Sequence, residues 1–137
     1  MIRVVIDTSI LVSGVRNHNG NEAQVIDAIR SDLLIPCLSE EIFQEYADVL
    51  ARSKFSFPTG EVEKLLTMLR LTGDFVQPDT MPLAVPDQSD AIFMACAAAA
   101  RADYLVTGNR RHYLDPVYGS AQVVNARELL VRIVSDE

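Results

Sequence analysis

The chain has 137 residues, of which 49% are hydrophobic, and a formal net charge of −7. This length predicts a single domain, covering residues 1–137, that buries enough surface to fold without disulfides or structural metals. The net charge argues against broad, sequence-independent binding to a polyanion, and no apolar run approaches the length of a membrane-spanning segment.

The first predicted element is an apolar, β-branched run at residues 2–6, which ends at Asp7 and is followed by Thr8 and Ser9. Such a run is typical of a strand buried on both faces, as in a parallel sheet covered by helices. Sites in these sheets lie at the carboxyl ends of the strands, so Asp7 is the first candidate for chemistry. The alternative is that Asp7 only caps a turn.

Apolar periodicity, helix caps and turn residues divide the rest of the chain into alternating helices and strands. In chain order we predict a loop at residues 17–21, a helix from Asn21, a strand at 33–38, a helix from Ser39 to about Arg52, a helix from Thr59 to Gly73, a short edge strand at 75–76, a long loop at 77–87, a helix at 89–100, a strand at 103–107, a strand at 122–124 and a helix at 127–133. This order predicts an α/β fold, a three-layer α/β/α sandwich around a mainly parallel sheet of four or five strands.

The strand at residues 103–107 repeats the pattern of the first, because it ends at Thr107 and is followed by Gly108 and Asn109. If the two strands are parallel, Asp7 and Asn109 project from the same edge of the sheet. The sequence therefore predicts a polar cluster built from two strand ends.

Two helices add further carboxylates to the candidate site. Glu45 is the acid of its helix that lies closest to the apolar arc, although it also fits a boundary residue whose head group is in water. Asp90 begins a helix that is apolar on nearly every side. It fits either a capping-box variant with Asp87 or a carboxylate that needs a cation.

Carboxylates converging from Asp7, Glu45 and Asp90 would repel one another in a partly desolvated cleft, and a divalent cation would resolve that repulsion. Oxygen ligands favour Mg²⁺ or Mn²⁺. Neither the two histidines nor the two cysteines show zinc-like spacing, so zinc is not expected.

Cys37 and Cys96 are the only cysteines, and each lies in an apolar stretch. This placement predicts buried thiols in a reducing compartment rather than a disulfide framework. The apolar segment before Asp7 is too short for a signal peptide. We therefore expect a cytoplasmic location and no membrane association.

Together these residues resemble the PIN domain, a small metal-dependent nuclease fold found in many VapC-like toxins of bacterial and archaeal toxin–antitoxin pairs. The resemblance covers essentially the whole chain. It is carried by four segments: residues 4–9, which contain Asp7; residues 41–46, which contain Glu45; residues 87–90, which contain Asp90; and residues 102–109.

The resemblance implies that Asp7, Glu45 and Asp90 bind one or two Mg²⁺ or Mn²⁺ ions and that RNA is the substrate. Three hydroxyl residues match positions that support the acidic pocket: Thr8, Ser9 and Thr107. Asn109 stands where many PIN nucleases carry a further Asp, so it would be a weaker metal ligand. The family also implies an antitoxin partner and self-association as a homodimer or larger assembly.

The resulting hypothesis is metal-dependent hydrolysis of RNA phosphodiester bonds by the catalytic residues Asp7, Glu45 and Asp90. Three residues directly after Asn109 are candidate phosphate contacts, or else an ordinary solvated turn: Arg110, Arg111 and His112. One alternative is a phosphatase with a strand-end Asp nucleophile, which the lack of a second acid at Ser9 disfavours. The other is a non-catalytic or degenerate module that binds RNA or protein.

Overall fold

The computed structural model of the protein describes residues 1–78 and 88–136. Most of the predicted loop at residues 77–87, and with it the predicted cap at Asp87, lies outside these described residues. The long central helix that carries Asp90 lies within them.

The described residues form one mainly parallel sheet. Its strands are β1 (Ile2–Ile6), β2 (Leu34–Leu38), β3 (Asp74–Phe75), β4 (Tyr104–Val106), β5 (Val117–Tyr118) and β6 (Ala121–Val124). They lie in the order β3-β2-β1-β4-β6-β5, and only β5 pairs antiparallel with its neighbour. Helices flank this sheet, so the predicted α/β class with a mainly parallel sheet is confirmed.

The sheet has six strands in the described residues rather than the predicted four or five. The strand absent from the prediction is β5, which forms a hairpin with β6. Two residues are too few to show the alternation of apolar and polar side chains that reveals a strand. The hairpin turn is made by Gly119, whose φ of 61° favours glycine.

The helices are α1 (Thr8–Arg16), α2 (Asn21–Arg30), α3 (Glu40–Leu50), α4 (Thr59–Thr72), α5 (Gln88–Ala99) and α6 (Ala126–Asp136), with a short 3-10 helix at Arg110–His112. Helices α1 and α6 both pack on α2, whereas α5 covers β1, β2 and β4 with α3 beside it. Helix α4 packs on α3 and β2. The sheet therefore lies between two helical layers.

Helix α1 was not predicted from the sequence. Its apolar side chains include β-branched residues, and Gly14 lies in its interior, so its intrinsic helix propensity is low. Packing against α2 compensates, because a Cβ at Gly14 would lie only 2.5 Å from Ile26 Cδ1. Asp7 precedes the helix as its N-cap, and Oδ1 accepts from Ser9 N at 3.4 Å.

The register of the central strands fixes the position of the candidate site. Ile6 of β1 pairs with Val106 of β4. Pairing continues one residue further, since Asp7 N donates to the Val106 carbonyl at 2.9 Å. Thr107 N donates in the same way to the carbonyl of Val124 at 3.0 Å. Asp7 and Thr107 therefore leave neighbouring strands at the same edge of the sheet, as the sequence predicted.

The core is apolar and continuous across the sheet. Tyr46 and Phe93 are the largest fully buried side chains, from α3 and α5. The Tyr46 hydroxyl donates to the carbonyl oxygen of Ile6, so the single polar atom of this side chain is satisfied and α3 is anchored at the end of β1. None of the helices in the described residues is long and apolar enough to cross a bilayer.

Cys37 and Cys96 are buried free thiols, as predicted. Burial raises the pKa of Cys37 to about 11 and that of Cys96 to about 12. At pH 8 a thiol with a pKa of 11 is a thiolate in only about one molecule in a thousand, and the thiolate is the reactive form.

We therefore expect neither cysteine of the folded protein to react readily with a disulfide reagent such as DTNB at pH 8. In guanidinium chloride both thiols should react at once. Because a raised pKa leaves the thiol protonated, any residual rate in the folded state should increase with pH over the range 8–10. Rapid reaction of either thiol in the folded protein would contradict the burial described here.

Candidate active site

Asp7 is a buried carboxylate, 6% exposed, at the carboxyl edge of the sheet. Its Oδ2 accepts from Thr107 Oγ1 at 2.5 Å and from the Tyr113 hydroxyl at 3.4 Å. Its Oδ1 faces the backbone N–H of Ser9. These partners are all neutral, so they orient the carboxylate without cancelling its charge.

Thr107 joins the two strand ends. It is 1% exposed, and its hydroxyl donates to Asp7 while accepting from the backbone N–H of Asn109 at 3.0 Å. Beside it, Gly108 N donates to Ser9 Oγ at 3.1 Å. Two of the predicted supporting residues, Ser9 and Thr107, thus hold the chain after β1 against the chain after β4.

Glu45 reaches the same edge from α3. It is half-buried, and its Oε2 accepts from Thr8 Oγ1 at 2.8 Å. The next residue, Tyr46, holds the helix on the Ile6 carbonyl. The residues on either side of Asp7 therefore both bind α3, which places Glu45 beside the cluster through the hydroxyl of Thr8.

Asp90 lies in the first turn of α5, where the helix dipole favours a negative charge. It is 5% exposed. Its Oδ2 lies 3.2 Å from Nδ1 of His112, which is half-buried in the 3-10 helix. This contact ties α5 to the segment that follows β4.

Tyr113 is a residue of the site that the sequence did not reveal. It is 5% exposed, and its hydroxyl donates to Asp7. Burial, together with the carboxylates of Asp7 and Asp90, raises the pKa of Tyr113 far above its usual value. The phenol therefore remains a protonated donor throughout the usual pH range, placed where both carboxylates act on it.

The three residues predicted to contact phosphate have different surroundings. Arg110 is ion-paired with Glu128, whose carboxylate also accepts from Asn125 N at the start of α6. His112 faces Asp90. Arg111 is exposed and makes no ion pair within the described part of the chain. Of the three, Arg111 is the one whose charge no carboxylate of the described residues engages.

Asn109 is exposed; its backbone N–H donates to Thr107 Oγ1, and its backbone carbonyl accepts from His112 N at 2.9 Å. The Tyr113 hydroxyl donates to Asp7, and the carboxylates of Asp7 and Asp90 both raise its pKa, while Glu45 accepts from Thr8. Asn109 lies in the turn immediately after this cluster. Its side chain as a weaker metal ligand remains a prediction.

The donors fit a hard divalent cation in chemical type, because buried carboxylate oxygens are the ligands that Mg²⁺ and Mn²⁺ prefer. Within residues 1–78 and 88–136, no group of three or more His, Cys, Asp or Glu side chains could together hold one ion. Mg²⁺ commonly uses one or two protein carboxylates and keeps several waters. Asp7 and Asp90 would supply such a pair, and Glu45 would act through water.

Comparison with known families agrees with this arrangement. A family model described as a PIN domain matches residues 3–111, which include the whole candidate site except Tyr113 and His112. No curated protein and no solved structure matches the chain. The match spans most of the chain and contains each of the three predicted carboxylates.

A thermal melt with added MnCl₂ tests whether the Asp7 cluster holds a cation. At a concentration one hundred times Kd, binding stabilises a folded protein by about 2.7 kcal/mol, so Tm should rise by several degrees. Asp7→Asn keeps a side chain that can cap α1 but removes a charge, and it should abolish the rise. Without metal its Tm should equal or exceed that of the native protein, because repulsion with Asp90 is relieved.

Asp48→Asn is the matched control, since Asp48 is an exposed acid of α3. It should retain the full rise in Tm. An equal rise in all three proteins would show that the cation binds elsewhere.

Proposed function

The chain belongs to the PIN domain family, a family of nucleases, and we propose that it is a Mg²⁺- or Mn²⁺-dependent endoribonuclease. The observation that carries the proposal is the pair of buried carboxylates, Asp7 and Asp90, which both raise the pKa of Tyr113, the phenol that donates to Asp7. Buried charges of the same sign lower the stability of a fold. Their presence therefore indicates a bound ligand or a functional role.

The chemistry that a divalent cation supplies at such a pair is polarisation of the phosphate and a lower pKa for the attacking water. The side chains around the pair have separate tasks. Thr107 and Tyr113 fix Oδ2 of Asp7 by donating to it, which leaves the carboxylate in one orientation. Preorganised donors of this kind cost no rearrangement when the reaction takes place.

Glu45 differs from the two buried acids because it is half-buried and has one of its oxygens on Thr8. We assign it the positioning of water at the rim of the cluster. Arg111 is exposed in the 3-10 helix that follows β4. We assign it a contact to a substrate phosphate, for which a planar guanidinium is well suited.

A second candidate function is a non-catalytic module that binds RNA or protein. It is favoured by Asn109, a neutral side chain in place of a further acid, and by the net charge of −7. A module of this kind would shift a labelled RNA in a gel without shortening it, whereas a nuclease would shorten it.

We also propose that the chain is the toxin of a toxin–antitoxin pair and self-associates through the α3–α4 hairpin. Support comes from Leu71 of α4, an apolar side chain that is 79% exposed, with Met68 half-buried on the preceding turn. Exposed apolar side chains on a helix are typical of protein contacts. The neighbouring gene discriminates: a small DNA-binding protein with a flexible tail favours the toxin role over general RNA processing.

The central test is cleavage of an end-labelled, single-stranded RNA in the presence of MnCl₂. We expect the native protein to produce shorter products and EDTA to prevent this. Asp7→Asn and Asp90→Asn should each lower the cleavage rate by about 100-fold or more, because each removes a charged oxygen donor from the site. Circular dichroism should show an unchanged fold.

The control is again Asp48→Asn, which should cleave at the native rate. Cleavage by Asp7→Asn at the native rate would refute the proposed mechanism. Binding of RNA without cleavage by the native protein would favour the second candidate function.

Tyr113→Phe tests the role of the phenol that the sequence did not reveal. The change removes the hydroxyl that donates to Asp7 and keeps the buried ring. Partners that orient a ligating carboxylate commonly contribute 10- to 100-fold to metal affinity or activity, so we expect an increase of about 10-fold in the MnCl₂ concentration that gives half-maximal cleavage.

Tyr118→Phe is the comparison, because Tyr118 packs edge-on against Tyr113 and its hydroxyl accepts from Asp115 N, outside the carboxylate cluster. It should leave the MnCl₂ requirement unchanged. The same requirement in Tyr113→Phe and the native protein would remove Tyr113 from the site.

A further inference from the structure

Two cations share one aromatic ring at the far end of α1. Arg16 Cζ lies 5.3 Å from the centroid of the Phe55 ring, and Lys54 Nζ lies 5.1 Å from the same centroid. The Phe57 ring stacks on Phe55 with centroids 5.1 Å apart and planes 7° from parallel. We call Arg16, Lys54, Phe55 and Phe57 the Phe55 patch.

The positive charges of the Phe55 patch have no carboxylate partner in the part of the chain that the structure describes. Both cationic residues are exposed. Attraction to the face of an aromatic ring is worth about 0.5–1 kcal/mol at an exposed site, which holds each cation in place but does not neutralise it. Two positive charges close to one ring repel each other, and a bound anion would relieve that repulsion.

Two acids line the cavity beside Gly14 and Val15, the residues that precede Arg16 in α1, and both have partners of their own. That cavity, of about 250 Å³, is lined by residues that include Asp27 and Glu61. Asp27 pairs with Arg30 at 2.6 Å, and Glu61 contacts His18 at 2.7 Å. Neither carboxylate therefore takes the place of an anion at the Phe55 patch.

Helix α1 connects the Phe55 patch to the carboxylates. Its N-cap is Asp7 and its last residue is Arg16. Arg16 therefore lies nine positions after Asp7, a rise of about 13 Å along the helix. At the first end of the helix Thr8 bonds to Glu45 of α3, and at the other end Arg16 lies over Phe55, in the loop that follows α3. The surface along α1 and α3 therefore leads from the acidic site to a basic one.

We infer that the Phe55 patch binds phosphate groups of the RNA strand whose scissile phosphate lies at Asp7 and Asp90. The inference rests on the proposed nuclease function. The Phe55 ring already has three neighbours, the stacked Phe57 ring and two cations near its centroid, and cations bind phosphate, so we assign the contact to the RNA backbone and not to stacked bases. The chain has a net charge of −7 and as a whole repels RNA. Two neighbouring cations without a carboxylate partner in the described residues would attract the RNA backbone locally.

The test is binding of a fluorescein-labelled oligouridylate, followed by fluorescence anisotropy in EDTA so that no cleavage takes place. The double variant Arg16→Ala/Lys54→Ala should weaken binding about 10-fold at 0.1 M salt. It should also lower the slope of log Kd against log salt by about 1.4, the value for two lost contacts to a single strand.

The matched control is Arg127→Ala/Arg132→Ala, which removes two exposed cations of α6 that make no ion pair in the described residues. It changes the net charge by the same amount and should bind RNA as the native protein does. Equal weakening in the two double variants would show a general effect of charge and would overturn the inference. Native-like binding and salt slope in Arg16→Ala/Lys54→Ala, with a native thermal melt, would overturn it as well.

Cleavage assays on the same proteins separate this inference from the proposed function. If the native protein cleaves RNA and Arg16→Ala/Lys54→Ala cleaves and binds equally well, the nuclease function stands and the Phe55 patch has no part in it. If no protein cleaves but binding depends on Arg16 and Lys54, the nuclease proposal fails and the patch stands as an RNA contact.

Discussion

The hydrogen bond from Thr107 to Asp7 is the interaction on which the site depends. It joins the residues that follow β1 and β4, two parallel strands that are neighbours in the sheet but 100 residues apart in sequence. Burial of a carboxylate is unfavourable in free energy unless hydrogen-bond donors replace the water that it loses. The hydroxyls of Thr107 and Tyr113 are those donors. Glu45 and Asp90 are positioned by α3 and α5, which pack on the sheet or on one another.

The candidate site and the proposed RNA substrate carry charge of the same sign, which would repel unless something on the protein compensates. Acidic side chains gather at the sheet edge, the whole chain is acidic, and RNA is a polyanion. On the proposed function, a cation at Asp7 and Asp90 would reverse the local field at the scissile phosphate. Further along the RNA strand, attraction for phosphate would have to come from cationic side chains of the protein. The cations near Phe55 lie at the opposite end of the helix that Asp7 caps.

The sequence predicted those parts of the site that depend on strand periodicity. Apolar runs that end at polar residues identified Asp7 and the turn that contains Asn109, because such runs are typical of buried parallel strands, whereas Thr107 was predicted from the family resemblance. The sequence did not predict Tyr113, since an isolated aromatic residue in an irregular segment has no periodicity. It also missed α1, whose β-branched residues and Gly14 are favoured by contact with α2 and not by local propensity.

The fold itself makes an acidic edge tolerable before any cation binds. Helices α1 and α3 directly follow β1 and β2, so both begin at the carboxyl edge of the sheet, and α5 runs towards the start of β4 and so begins there too. Each helix N-terminus carries a partial positive charge. Asp7 caps the first of these helices, and Asp90 lies in the first turn of the third. The dipoles of α1 and α5 therefore favour the negative charges of Asp7 and Asp90. The cost of burying two acids that are distant in sequence is thus lowered by the same helices that position them.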